Sequence, residues 1–169
     1  MKRLWIAGVL VACVAVLGVG VSADDDVVVL RARAVGANEV PPIFTAATAN
    51  FKATIHSDGS INFTLDFKNL SANLTASHIH FAQKNVQGAV MIPLCGGGQP
   101  ACPAATSGII TGTIAPANVV AIPGQGIVAG HLADALRVIG NGEGYVNLHN
   151  ASFPSGEIRG QVSVHGDDD

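Results

Sequence analysis

Apolar and polar residues alternate strictly through the centre of the sequence. From Ala47 to Ile55 and again from Ile61 to Lys68, the odd positions are apolar and the even positions are polar. Because neighbouring side chains of a β-strand point to opposite faces, this pattern predicts two half-buried antiparallel strands. The dipeptide Asp58-Gly59 between them tolerates positive φ and predicts a hairpin turn. A chain with this hairpin at its centre is expected to build a sheet.

Other short segments with β-strand character are separated by glycine and proline. They predict strands at Val27–Ala34, Leu74–Phe81, Ala89–Leu94, Ser107–Ile114, Gly142–His149 and Glu157–Val164. Pro41 and Pro42 cannot donate hydrogen bonds to a neighbouring strand, which predicts an edge or a turn over residues 36–42. Seven or eight short strands with this punctuation favour one all-β domain, a sandwich or barrel.

One segment has helical rather than strand spacing. Val128, Leu132, Leu136 and Ile139 recur every three or four residues, which predicts a short helix over residues 128–139 that Gly140 ends. The aromatic residues expected in the core are Phe44, Phe51, Phe63, Phe67, Phe81, Tyr145 and Phe153.

Residues 1–23 form a separate segment. Met1-Lys2-Arg3 precedes an apolar run that ends at Val21-Ser22-Ala23, and three aspartates follow. A basic start, an apolar stretch and small residues before a polar junction are typical of a secretory signal peptide. We expect cleavage after Ala23, which leaves residues 24–169 as one secreted or periplasmic domain without a membrane span. A membrane anchor is the competing interpretation. Lipidation at Cys13 is a third, but the apolar residues after Cys13 argue against it.

The charge balance limits the partners of the remaining chain. Residues 24–169 carry seven basic and twelve acidic side chains, and no basic patch is expected from the sequence. This argues against nucleic acid and anionic membrane surfaces as partners. The acidic clusters are Asp24–Asp26 and Asp167–Asp169, and solvated tails explain them more simply than a calcium site does.

Two cysteines remain after residue 23, and both lie on a loop rich in glycine and proline. Cys95 and Cys102 flank Gly96–Gly98, which allows the backbone to fold back and bring the two β-carbons together. In an exported protein such a pair most often forms a disulfide. A metal site is the weaker interpretation, because no further thiolate is present. We therefore predict a Cys95–Cys102 disulfide.

Histidines offer the main candidate site. In Ser77-His78-Ile79-His80-Phe81, His78 and His80 share one face of the predicted strand, while Ile79 and Phe81 face the core. Two imidazoles at this spacing can chelate zinc or copper, with His149 as the expected third ligand and His131 as a weaker candidate. The alternative is that these rings only form hydrogen bonds on a polar surface.

Motifs for catalysis are missing from the sequence. It has no Gly-x-Ser-x-Gly, no phosphate-binding loop and no defensible pair of catalytic carboxylates. Glu157 and Arg159 share a face of the last predicted strand, where we expect them to form a structural ion pair. The sequons begin at Asn62, Asn69, Asn73 and Asn150, and they would mark glycosylation on outward faces in a eukaryotic host.

Four segments in order resemble the chordin-domain (CHRD) family. They are Asn38–Pro42, Ser77–Phe81, Gly144–His149 and Ser155–Val162, of which the closing Gly-Glu-Ile-Arg-Gly-Gln is the most specific. The resemblance covers residues 27–164. It implies an extracellular or cell-envelope location and a Greek-key sandwich like that of immunoglobulin domains or copper/zinc superoxide dismutase. It does not imply a reaction.

The similarity to superoxide dismutase extends to the His-x-His strand. Full dismutase chemistry would require four copper imidazoles, one of which bridges to a second, zinc-binding set. Here His78, His80, His131 and His149 could fill only the copper set. We therefore expect a non-catalytic module that binds an unknown protein or envelope partner. The alternative function is a copper- or zinc-binding metalloprotein.

Overall fold

The alternating segments form the strands that they predict. The computed structural model describes residues 27–166, so the predicted signal peptide, the lipidation candidate Cys13 and both acidic clusters lie outside the described residues. The strands are β1 Val28–Val35, β2 Thr48–Ile55, β3 Ile61–Lys68, β4 Leu74–Phe81, β5 Ala89–Cys95, β6 Gly108–Thr113, β7 Gly144–Asn150, β8 Ile158–Gln161 and β9 Ser163–His165. One α-helix, α1, spans Leu132–Gly140, and short 3₁₀ turns occupy residues 36–38, 116–118 and 123–125.

All strand pairs are antiparallel, in the order β5-β4-β7-β8-β1-β2-β3-β6, with β9 also paired to β1. The strands form a nearly closed barrel or sandwich, which confirms the predicted fold class. The predicted hairpin joins β2 to β3, with Gly59 at a φ of 80° and the Ser60 amide bonded to the Asp58 carboxylate. Of the helices within residues 27–166, none has the length and apolar character that crossing a membrane requires.

The interior is filled by the apolar face of each strand. Phe51, Phe63 and Phe67 pack there with the aliphatic residues of the neighbouring strands. Phe44 was expected among them, but it is fully exposed. It lies in the loop before β2, outside the alternating segment, so no strand turns its ring inward. Tyr145 is buried but lies outside this apolar cluster.

The helix is shorter than its spacing predicts. It begins at Leu132 rather than at Val128, because Gly130 has a φ of 80° and the His131 amide bonds to the Val128 carbonyl in a tight turn. Val128 is consequently exposed, while Val138 and Ile139 are buried against the core.

The predicted disulfide joins Cys95 to Cys102, whose α-carbons lie 4.9 Å apart. The three glycines that follow Cys95 all have positive φ, and this reverses the chain between the two cysteines.

Candidate metal centre

Strands β4 and β7 bring three histidines to one face of the sheet. His78 lies directly opposite Asn147, and His149 lies opposite Ala76, one step further along the same face. Diagonal neighbours at this register are within reach of long side chains. The pairing therefore gathers His78, His80 and His149, as the spacing of the sequence suggested.

The three imidazoles converge to distances close to those of a metal centre. His78 Nδ1 lies 3.3 Å from His149 Nε2, and one nitrogen from each ring lies within 4.8 Å of the others. Metal–nitrogen bonds of about 2.0–2.1 Å in tetrahedral geometry separate the ligand nitrogens by roughly 3.3 Å. The contact between His78 and His149 already has this separation.

Backbone carbonyls determine which nitrogen of two rings carries the proton. His80 Nδ1 lies 3.0 Å from the Gly88 carbonyl, and His149 Nδ1 lies 3.0 Å from the Pro154 carbonyl. Because a carbonyl only accepts, both Nδ1 atoms must donate, and each neutral ring keeps a lone pair on Nε2. The Nε2 of His80 is buried and has no hydrogen-bond partner. Such outer hydrogen bonds orient the histidine ligands of metals.

Gly88 positions two rings through its backbone. Its carbonyl accepts from His80, and its amide donates to the Tyr145 hydroxyl at 3.1 Å. The Tyr145 ring stacks on His80 with 4.8 Å between centroids. A β-carbon on Gly88 would lie 2.0 Å from the Phe81 carbonyl oxygen, so only glycine allows this approach.

Burial keeps the three imidazoles neutral. It lowers the pKa of His78 and of His80 to about 4, with a smaller contribution to each from neighbouring rings. Burial also lowers the pKa of His149, and its bond to Pro154 opposes this. Neutral imidazole is the form that binds metals, so the cluster is ready to act as a ligand set well below neutral pH.

The lowered pKa values predict that the metal-free protein loses stability in mild acid. Between pH 6.5 and pH 4 the unfolded histidines bind more protons than the folded ones, so the free energy of unfolding falls as the pH falls. We expect His78 to account for about 1 kcal/mol after screening by solvent. Urea unfolding in chelator, compared between wild type and His78→Gln, measures this difference. If the free energy of unfolding changes with pH in the same way for both proteins, the prediction is wrong.

A buried ion pair lies on the same face of the sheet. Arg159 Nε lies 3.4 Å from a Glu39 carboxylate oxygen, and both side chains are 4% exposed. The Arg159 guanidinium also lies over the Tyr145 ring, with 3.9 Å between its Cζ and the ring centroid, and it donates to the Val86 carbonyl. The Asn147 side chain donates to the Glu39 carboxylate. The expected pair of Glu157 with Arg159 is therefore wrong, since β8 begins at Ile158 and Glu157 turns away before the strand starts.

Glu157 instead joins two loops and the end of β7. Its fully buried carboxylate accepts hydrogen bonds from the Thr45 hydroxyl, from the Ser71 amide and hydroxyl, and from the Asn150 amide group. Asn150 is 1% exposed, so this sequon is not on an outward face as expected, whereas Asn62, Asn69 and Asn73 are exposed. No motif in the sequence indicated this carboxylate.

The other histidines are not part of the cluster. His131 precedes α1 and contacts Asp134 at 3.4 Å, on an exposed surface. His56 contacts Asn62, and His165 contacts Ser163. Among residues 27–166, the group of His, Cys, Asp and Glu side chains close enough to hold an ion is His78, His80 and His149.

Comparison with known proteins gives one match. The family model described as the CHRD domain matches residues 30–162, nearly all of the described chain. Neither a curated protein nor a solved structure matches the chain.

Proposed function

The chain belongs to the CHRD-domain family, and on that premise we propose that it is an exported, non-catalytic binding module that holds a copper or zinc ion on His78, His80 and His149. The observation that carries this proposal is the buried, unpartnered Nε2 of His80. A buried polar atom without a hydrogen bond costs about 1–3 kcal/mol, and a metal ion would use its lone pair.

The donor set supports copper or zinc over harder ions. Three neutral imidazoles suit both metals, whereas calcium and magnesium prefer oxygen ligands. His149 offers its Nε2 in the same way as His80, because its Nδ1 is bonded to a carbonyl. His78 Nδ1 donates to His149 Nε2 in the metal-free protein, so His78 would carry its proton on Nε2 when Nδ1 binds the ion. Copper(II) is expected to bind more tightly than zinc, following the usual order of divalent affinities.

Export is supported by two features. The disulfide between Cys95 and Cys102 is of a kind that persists in oxidising compartments. The sequence of residues 1–23 has the order of a signal peptide. Both features support a secreted or periplasmic location.

The number of ligands disfavours dismutase chemistry. The cluster contains three imidazoles within the described residues, and a dismutase-like copper set would need a fourth. His131, the candidate for that fourth ligand, contacts Asp134 instead. The fourth position is open, as in zinc sites that take an exchangeable fourth ligand.

Metal titration of two matched double variants tests the proposal. We expect wild type to bind one copper or zinc ion with a sub-micromolar Kd, and His78→Ala/His80→Ala to bind at least 100-fold more weakly. The control His56→Ala/His131→Ala removes two histidines outside the cluster and is expected to stay within threefold of wild type. Calorimetry and elemental analysis measure the affinity and the stoichiometry. Equal binding by all three proteins, or no binding by wild type, would overturn the metal site and leave a protein or envelope partner as the ligand.

A further inference from the structure

A groove with three cations lies on the outer face of β1, β2 and β3, and it does not involve the histidine cluster. Arg31 and Arg33 of β1 and Lys52 of β2 line it, and all three are exposed. Its volume is about 620 Å³, and amide and hydroxyl side chains fill the spaces between the charges: Asn50, Thr64, Gln161 and Ser163. The sequence does not indicate this group of cations, because they lie on two strands and alternate with other residues along each strand.

Two of these cations face each other without a neutralising partner. Arg31 lies directly opposite Lys52 in the register of β1 and β2. Like charges at such positions destabilise a sheet. None of the ion pairs among residues 27–166 includes Arg31, Arg33 or Lys52. Asp66, the carboxylate in the groove, contacts Lys68. The arrangement lowers stability unless an anion binds there.

The groove continues beyond Arg33. A second cavity of about 220 Å³ shares Arg33 and Gln161 with the first and adds Lys84. Residues two apart on a strand lie roughly 6.8 Å apart, so Arg31 and Arg33 present successive charges along one line. The shape and the repeated charge fit an extended polymer better than a small anion.

The chemistry of the lining indicates which polymer. Phe51, the aromatic residue of the groove, is buried in the core and offers no ring for stacking. Single-stranded nucleic acid is usually held by exposed aromatic residues, and membrane surfaces by exposed apolar ones. The hydroxyl and amide side chains of the groove can form hydrogen bonds with the hydroxyl groups of a sugar chain, while its cations bind carboxylate groups on the same chain. We propose that this groove binds an anionic polysaccharide, a glycan with carboxylate or sulfate groups on successive sugars.

Affinity for polygalacturonate and dextran sulfate, with neutral dextran as the reference polymer, tests this proposal. We expect wild type to bind at least one of the two anionic polymers at low salt and to release it as salt rises. Arg31→Gln should bind at least fivefold more weakly. Arg137→Gln, which removes an equally charged exposed side chain on α1, should change the affinity less than twofold. Asp66→Asn should strengthen binding, because it removes the carboxylate from the groove.

Three results would overturn the proposal. The first is an equal loss in Arg31→Gln and Arg137→Gln, which would reflect net charge alone. The second is no binding of either anionic polymer at low salt by a protein that unfolds cooperatively. The third is tighter binding to single-stranded DNA than to both glycans. The metal titration above is independent of each result.

Discussion

Replacing Glu157 with glutamine is expected to lower the free energy of unfolding by about 3 kcal/mol, or roughly 10 °C in Tm. The carboxylate is fully buried and accepts from Thr45 and Ser71, which belong to two separate loops, and from Asn150 at the end of β7. Glutamine has nearly the same volume as glutamate. One of its two terminal groups is an NH₂ donor, however, and it would face the donors that the carboxylate oxygen accepts from. Two or more charge-assisted hydrogen bonds are therefore lost without a compensating one.

Denaturant unfolding of Glu157→Gln beside Glu143→Gln measures this effect. Glu143 is half-buried and supplies a matched loss of one carboxylate. We expect Glu143→Gln to stay within about 0.5 kcal/mol of wild type, as for most surface changes. A Glu157→Gln protein as stable as this control would show that these three segments are held by other contacts.

Replacing Arg159 with methionine is expected to cost about 3–5 kcal/mol, because it leaves the buried Glu39 without its cation. Burial raises the pKa of Glu39, and Arg159 opposes that rise. In the variant the pKa should rise further. The folded protein then binds more protons than the unfolded chain above pH 4.5, so the destabilisation grows as the pH rises toward 7.

A double variant separates the lost ion pair from lost packing. Glu39→Gln/Arg159→Met removes both charges, and we expect it to be more stable at pH 7 than Arg159→Met alone. The exposed ion pair of Arg137 with Asp134 supplies a control, since Arg137→Met should cost less than about 1 kcal/mol. Additive effects of the two substitutions at pH 7 would contradict a coupled pair.

Much of the fold was predictable because the sheet has one apolar face. Both β3 and β4 have the predicted bounds, and β3 follows the alternation because the pattern has a period of two and turn residues flank the strand. Phe44 and Val128 were placed wrongly because the prediction relied on their apolar character. Apolar character shows a preference for burial, but it does not show whether a strand or helix at that residue turns the side chain inward.

The candidate site was partly predictable. Strand periodicity places His78 and His80 together, and the last strands suggested His149. The bonds that orient these rings were not predictable, because they come from the carbonyls of Gly88 and Pro154, which have no side-chain signature. The pairing of Arg159 with Glu39 spans 120 residues, and only the sheet order brings the two together.

The two backbone contacts of Gly88 have a consequence for protein engineering. Transplanting three histidines onto another pair of strands would copy the ligands but not their tautomers. A functional graft would need the whole hairpin from His80 to Gly88 with its loop length unchanged, so that the Gly88 carbonyl meets His80 and the Gly88 amide meets Tyr145. The smallest transferable unit of this centre is thus a loop of fixed length together with its strands.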